Sequence, residues 1–244
     1  MCIRDSARTA REIVSSEMWE TVNSLWHWLQ GGPGRRLYRS DRDHFYQHIR
    51  QMCELFHGQA DETMLNGEPL AFMRLGRYLE RAGQTARLMD VHFHTFPDEG
   101  EIDDPIRLAQ WSALLACCSA TEPFQKRSFG TPTAREVVNF LLFEQDLPRS
   151  VSHCLRSARH SLVHVRGYGS NRIGMVSTAL LEALLSHVAL REGHPIVGSE
   201  LHSELTYLVD SVTDLCTSIE QEFFHSTELQ TQILAEQSSA AAQQ

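Results

Sequence analysis

Apolar residues recur every three or four positions along most of the chain, which is the spacing of one face of an α-helix. The clearest example is a near-heptad seam between residues 201 and 219. A second stripe runs from Phe72 to Phe93, just after Glu68-Pro69, where proline suits the first turn of a helix. No segment of useful length alternates as a strand does. The pattern therefore predicts an all-α protein, a multi-helix bundle.

Interruptions of this pattern set the expected number of helices at about eight. Glycine and proline in Gly31-Gly32-Pro33-Gly34 predict a linker, and Asn66-Gly67 predicts a second break. Thr131 or Thr133 and Ser199 are candidate helix caps. The predicted helices span residues 4–29, 41–64, 68–94, 105–122, 133–144, 148–165, 171–191 and 199–235. We expect one domain over residues 4–235 and a disordered tail at 236–244.

Charge and cysteine content narrow the class of protein. The 244 residues carry a formal net charge of −9, which argues against a general nucleic-acid or membrane surface but allows a local basic stripe. Six cysteines without a Cys-x-x-Cys pair indicate reduced thiols, and Cys117-Cys118 is expected to pack as two small apolar residues. No run reaches the roughly 18 apolar residues of a membrane span, and no apolar leader follows the start. We expect a cytoplasmic protein that binds neither nucleic acid nor membranes.

Three arginines and a glutamate share part of the third predicted helix. At about 100° per residue, Arg74, Arg77 and Arg81 fall in one sector, away from the apolar stripe, and Glu80 lies beside them. Guanidinium groups suit carboxylate or phosphate. The group predicts an anion site or an interior ion-pair network, while a solvated charged face is the plainer alternative.

An acidic face on the first predicted helix offers a partner for these arginines. Glu17 and Glu20 lie with Ser24 and His27 opposite Val22. Such carboxylates could act as general acid and base, bind a metal, or serve as counter-ions for Arg77 and Arg81. An exposed helix surface explains them equally well.

A di-metal site is a weak alternative. Two Glu-x-x-His pairs occur, Glu54 with His57 and Glu222 with His225, and ferritin-like centres use such pairs. About one such pair is expected by chance in this composition, and Glu54 falls on the face opposite the apolar residues of its helix. There is no phosphate loop or hydrolase motif. We predict no metal and no cofactor.

Several segments together resemble the bacterial Alpha-E family, all-helical proteins named for a Glu-Arg motif. The resemblance covers about residues 4–230. It is carried chiefly by Ser15-Ser16-Glu17-Met18-Trp19-Glu20, Gly76-Arg77-Tyr78-Leu79-Glu80-Arg81-Ala82 and Pro148-Arg149-Ser150-Val151.

This resemblance implies a duplicated architecture in which the Gly-Arg-Tyr-Leu-Glu-Arg segment occurs once per half. The chain contains it once, so we expect a truncated pseudo-duplicate that lacks an N-terminal portion. A faint repeat between residues 3–11 and 158–166 agrees with that expectation. The resemblance also implies a circularly permuted ATP-grasp protein and a transglutaminase-like protein as partners.

Three functions follow as hypotheses. The leading one is an accessory subunit of an ATP-grasp peptide-ligation or modification system, in which Arg74, Arg77, Glu80 and Arg81 form a charged network with Glu17 and Glu20. The second is an enzyme acting on a peptide or amine, with Glu80 or Glu17 as acid or base. The third is a structural scaffold.

Overall fold

The structure, a computed structural model, describes residues 12–95, 105–128, 130–167, 173–194, 196 and 199–225. Within these ranges there are ten α-helices and no strand, so the all-α prediction is confirmed. The helices are α1 Ser16–Gln30, α2 Gly32–Ser40, α3 Arg42–Thr63, α4 Glu68–Thr95, α5 Pro105–Cys117, α6 Thr121–Arg127, α7 Ala134–Phe143, α8 Val151–Gly167, α9 Met175–Arg191 and α10 Ser199–Glu220. A π-helical turn, Gln221–His225, follows α10.

The chain divides into two compact units, residues 1–71 and 72–244. The single domain expected over residues 4–235 stays a prediction, and the tail at 236–244 lies outside the described residues. No described helix is both long and apolar enough to cross a membrane.

Helices α1, α2 and α3 pack against one another to form the first unit. Thr21 of α1 donates a hydrogen bond to Gln59 Oε1 of α3 at 2.8 Å. Met18 and Ala60 are buried. The predicted inner face of α3 is only half-buried, as shown by its four apolar residues Phe45, Ile49, Met52 and Phe56. This unit therefore leaves much of its apolar surface within reach of solvent.

The first helix starts later than predicted. Residues 12–15 form a turn and α1 begins at Ser16, because the Ser15 hydroxyl accepts a hydrogen bond from Met18 N at 3.3 Å and so acts as the N-cap. Val14 consequently lies outside the helix, and Leu29 at its other end is exposed. Residues 1–11, including the first copy of the faint repeat, lie outside the described residues.

The linker predicted at residues 31–34 is wrong beyond its first residue. Gly31 is extended and ends α1, but α2 starts at once at Gly32 with Pro33 in its first turn. Gly34 is needed for a close approach, since a Cβ there would lie 2.5 Å from the Trp28 carbonyl oxygen and 3.2 Å from the Trp28 ring. The glycines thus allow α2 to begin only one residue after α1 ends and to approach Trp28 closely.

The second unit has one continuous apolar core. The stripe of α4 and the seam of α10 are both buried as predicted, with Leu79, Ala86, Leu205 and Leu215 at most 1% exposed. Phe72 at the start of this stripe is half-buried and packs edge-to-face on Phe223 at 5.3 Å. The side chain of Phe93 is not among those that the structure describes. Helices α5 to α9 supply most of the rest of the core.

The helix predicted over residues 105–122 is two helices. Ser119 has φ +51°, the left-handed conformation that ends a helix, and Ala120 N donates to Leu115 O at 2.8 Å across the break. This is the Schellman arrangement, in which glycine is the usual residue. A serine in this position carries no signal in the sequence, which explains the error.

At several other helices, the position of the capping residue determines where the helix begins. Thr133 and Glu136 form a capping box at α7, which confirms the predicted cap. Helix α8 starts at Val151, not 148, because the Ser150 hydroxyl accepts a hydrogen bond from His153 N at 3.1 Å. Helix α9 starts after Gly174, which has φ +76°. Ser199 is the first residue of α10, and residues 226–235 of its predicted extent lie outside the described residues.

Glu222 caps helix α9 from a distant part of the chain. The π-helical turn places its carboxylate on the first turn of α9, where it accepts hydrogen bonds from Val176 N at 3.0 Å and Ser177 N at 2.8 Å. The Ser177 hydroxyl also donates to it. Burial raises the pKa of Glu222, but the hydrogen bonds from Ser177 and Val176 outweigh burial, so the net pKa lies below the ordinary value.

We predict that Glu222→Ala lowers the free energy of unfolding by about 1–2 kcal/mol at neutral pH, because two helix N–H donors lose their acceptor. Since the folded-state pKa is depressed, this contribution is present above the ordinary glutamate pKa and disappears as the pH falls below it. Urea denaturation at neutral and acidic pH measures the difference. Glu220→Ala, an exposed glutamate of the same region, serves as the control, and equal losses in both variants would contradict the capping role.

Candidate functional site

Glu80-Arg81 is the only Glu-Arg dipeptide in the sequence. It lies in the middle of α4, in the second unit. Arg74, Arg77 and Arg81 are all half-buried, whereas Glu80 is exposed. The two motif residues therefore differ in their exposure to solvent.

Arg81 and Thr85 both bind the turn that precedes α8. Arg81 Nη1 donates to the carbonyl oxygen of Pro148 at 3.2 Å. One helical turn later, the buried Thr85 hydroxyl donates to the carbonyl oxygen of Arg149 at 2.9 Å. These two carbonyls precede the helix and accept no hydrogen bond from its backbone N–H groups. The motif arginine thus fixes where the chain enters α8.

A buried thiol shares the same acceptor. Cys154 Sγ lies 3.4 Å from the Pro148 oxygen, and its residue is fully buried. Burial raises the pKa of Cys154 to about 12, against the lowering effect of Arg81 and Arg149. Burial likewise raises the pKa of Cys118 to about 11. Both groups stay protonated at neutral pH and are structural thiols, not nucleophiles.

Arg81 lies close to two other arginines. Burial is the chief cause that lowers the pKa of Arg81 from its ordinary value; the nearby Cys154 opposes this shift, and the charges of Arg149 and Arg77 add to it. The guanidinium of Arg77 lies over the Tyr78 ring at 5.2 Å, a cation–π contact.

Glu80 has an ordinary surface environment. Its carboxylate accepts a hydrogen bond from Gln84 Nε2 at 3.0 Å, one turn along the same helix. Glu17 and Glu20 are also exposed, on α1 of the first unit. Their expected pairing with Arg77 and Arg81 stays a prediction.

Catalysis by Glu80 or Glu17 would need a pocket in which a substrate can lie against the carboxylate. Neither of the two cavities described for this chain, of about 490 and 440 Å³, is lined by these residues. The larger one, in the second unit, contains Arg127, which pairs with Asp146 at 2.5 Å.

The two Glu-x-x-His pairs have other partners. Glu54 lies 3.8 Å from Arg50 on the surface of α3, and Glu222 caps α9. Across the described part of the chain, no group of three or more histidine, cysteine, aspartate or glutamate residues is arranged to hold a metal ion.

Among the polar contacts of this unit that sequence reasoning missed are three that join separate segments of the chain. His202 Nδ1 lies 2.7 Å from Asp90 Oδ1, joining α10 to α4. Glu204, only 9% exposed, lies 2.7 Å from His187 Nε2 of α9. The third is the hydrogen bond from Thr85. The polar position of Glu204 within the apolar seam of α10 was a signal for the second, while the other two had none.

Comparison with protein-family models identifies the family of the chain. The family model for Alpha-E, described as a predicted alpha-helical domain with a conserved ER motif, matches residues 2–224. No curated protein matches the chain. No solved structure matches it either.

We predict that Arg81→Met lowers the free energy of unfolding by about 1–2 kcal/mol, because the Pro148 carbonyl loses its guanidinium donor. Thr85→Val should lower the free energy of unfolding by about 1 kcal/mol, because the Arg149 carbonyl loses its hydroxyl donor. Glu80→Gln should stay within about 0.5 kcal/mol of the wild type, since it alters only a surface hydrogen bond. Urea denaturation followed by circular dichroism tests all three, and a large loss in Glu80→Gln alone would reverse the assignment.

A second prediction concerns two adjacent cysteines on either side of the α5 helix end. Cys117 is exposed and Cys118 is buried, so the expectation that both pack as apolar residues is wrong for Cys117. A thiol reagent applied to the native chain should modify Cys117 quickly and leave Cys118 and Cys154 unmodified until the chain unfolds. Mass spectrometry of the digested protein distinguishes the sites. Rapid native modification of Cys154 would contradict its structural role.

Proposed function

The chain belongs to the Alpha-E family, and from that premise we propose that it acts as an accessory subunit of a cytoplasmic ATP-dependent peptide-ligation or peptide-modification system. Its partners in this proposal are a circularly permuted ATP-grasp protein and a transglutaminase-like protein. The partners carry the chemistry, and the helical subunit supplies a rigid surface on which they assemble.

The position of Arg81 is the observation that supports this proposal most. An arginine that served a reaction would direct its guanidinium at a substrate or an intermediate. Here one of its amino groups donates to the backbone at Pro148, and the thiol of Cys154 shares that acceptor. The arginine of the ER motif therefore stabilises the helical scaffold.

The exposure of the motif glutamate supports the proposal that the chain binds a partner protein through this helix. Glu80 projects from a helix whose opposite face is buried in the core, as Leu75, Leu79 and Ala82 show. An exposed carboxylate on so firmly held a helix is suited to binding a cationic group of a partner protein. We assign Glu80 to that contact.

The test is capture of the two partners. We expect the tagged full chain, co-expressed with an ATP-grasp protein and a transglutaminase-like protein encoded beside it, to retain at least one of them through purification. The variant Glu80→Lys should weaken this capture by about tenfold or more, because it places like charges opposite one another. Glu122→Lys, which reverses an exposed glutamate on α6, is the matched control and should retain wild-type capture.

Activity measurements separate the proposal from the alternative of an independent enzyme. The ATPase rate of the ATP-grasp partner should depend on the presence of the chain, while the purified chain alone should consume no ATP. Capture of neither partner, or a peptide-modifying activity of the chain alone that Glu80→Gln abolishes, would overturn the proposal.

A further inference from the structure

A cavity of about 440 Å³ lies in the first unit, and the Alpha-E motif plays no part in it. Six residues line it, Leu29, Gly34, Arg35, Tyr38, Arg39 and Phe45; we call it the α2 pocket. Its volume suits a large side chain or a small ligand.

Aromatic rings give the α2 pocket a rigid apolar wall. Phe45 stacks on Trp28 with a centroid distance of 5.3 Å, and Tyr38 meets Phe45 edge-on at 5.1 Å. Gly34 lets α2 approach Trp28 closely enough to hold this arrangement. Tyr38 remains 39% exposed and Leu29 36% exposed. Apolar groups are thus displayed in a concave surface that solvent can enter.

Positive charge surrounds this apolar wall. Helix α2 carries Arg35, Arg36 and Arg39 and no acidic residue, although the whole chain has a net charge of −9. Arg42, at the start of α3, places its guanidinium over the Tyr38 ring at 5.1 Å. Among the described residues, no ion pair neutralises Arg35 or Arg39, the two arginines that line the pocket. Asp41 and Asp43, at the start of α3, are the acidic residues next to this surface, and the Asp41 carboxylate is held by His44.

Chemistry of this kind favours one occupant. We propose that the α2 pocket binds an acidic segment of a partner polypeptide, with one large apolar side chain inserted against Tyr38 and Phe45 and flanking carboxylates on the arginines. Arg35 and Arg39 are one helical turn apart, and Arg42 continues the positive surface beyond the cavity. An extended acidic segment therefore satisfies more of these guanidinium groups than a compact anion does.

A nucleic acid fits less well. Residues 12–71 hold nine acidic and five basic side chains, so only a short acidic ligand that stays on α2 and the start of α3 avoids the negative charge of the rest of the unit. A phosphate backbone running past the pocket does not avoid it. Nucleic-acid binding depends on neutralising many phosphates in succession, and one helix carries most of the positive charge here. The proposal is independent of the accessory role, because the binding can be measured on this chain alone.

The experiment is a calorimetric titration of the full chain with a short capped peptide in which one phenylalanine is flanked by glutamates. We expect measurable binding that weakens with rising salt. Two control peptides, one with alanine in place of phenylalanine and one with glutamine in place of glutamate, should each bind at least about tenfold more weakly. A single-stranded oligonucleotide of equal charge should bind more weakly than the first peptide.

Variants locate the site. The double variant Arg35→Gln/Arg39→Gln should weaken peptide binding by about tenfold or more. Arg50→Gln removes one positive charge on the surface of the same unit, outside the α2 pocket, and should change the affinity less than about twofold. Tyr38→Ala should weaken the binding of the phenylalanine peptide and leave the binding of the alanine peptide unchanged. Circular dichroism confirms that each variant is folded.

Three results would overturn the proposal. They are no binding of the acidic peptide up to about millimolar concentration, an Arg50→Gln effect as large as that of the double variant, or an oligonucleotide affinity equal to that of the peptide. The last would identify a non-specific polyanion surface.

Discussion

Two hydrogen bonds from α4 to the peptide carbonyls of Pro148 and Arg149 organise the second unit. Helix α8 starts directly after these carbonyls, and its residues Cys154, Leu155 and Leu162 lie in the centre of the core. A side chain that binds backbone holds the course of the chain whatever side chains follow it. Placing arginine and threonine one turn apart on α4 therefore sets the position of α8 against α4, and α7 and α9 pack on α8.

In the second unit, side chains from outside α7, α8 and α9 bind unpaired backbone groups at the ends of these helices. Each end needs partners that the helix itself cannot supply, and the chain takes them from nearby or from far away in the sequence. Thr133 and Ser150 act locally, next to α7 and α8, whereas Glu222 reaches α9 across more than forty residues. The local caps define where helices begin, and the distant one also ties two helices together. The described structure thus uses polar contacts chiefly to position apolar packing.

Periodic apolar residues were a reliable guide in the second unit, but not in the first, where the predicted inner face of α3 is only half-buried and Leu29 is exposed. The buried stripes of α4 and α10 are as predicted, because each residue type and its spacing agree with a buried helix face. Two further errors arose where backbone conformation decided the outcome: Ser119 ends a helix in a left-handed conformation, and Gly32 and Gly34, predicted to lie in a linker, lie in α2. At the motif, spacing showed that the arginines share a face, but the acceptor of Arg81 is a backbone carbonyl, which no side-chain pattern can reveal.

The cap on α9 bears on how far this protein can be shortened. Because Glu222 closes the first turn of a helix whose Leu181 and Leu184 belong to the core, a polypeptide ending before the π-helical turn would open α9 at its first turn. Phe223 would be lost with it, along with its packing on Phe72. Truncation or a fusion tag at this end is therefore compatible with the second unit only if it leaves residues 222 and 223 in place.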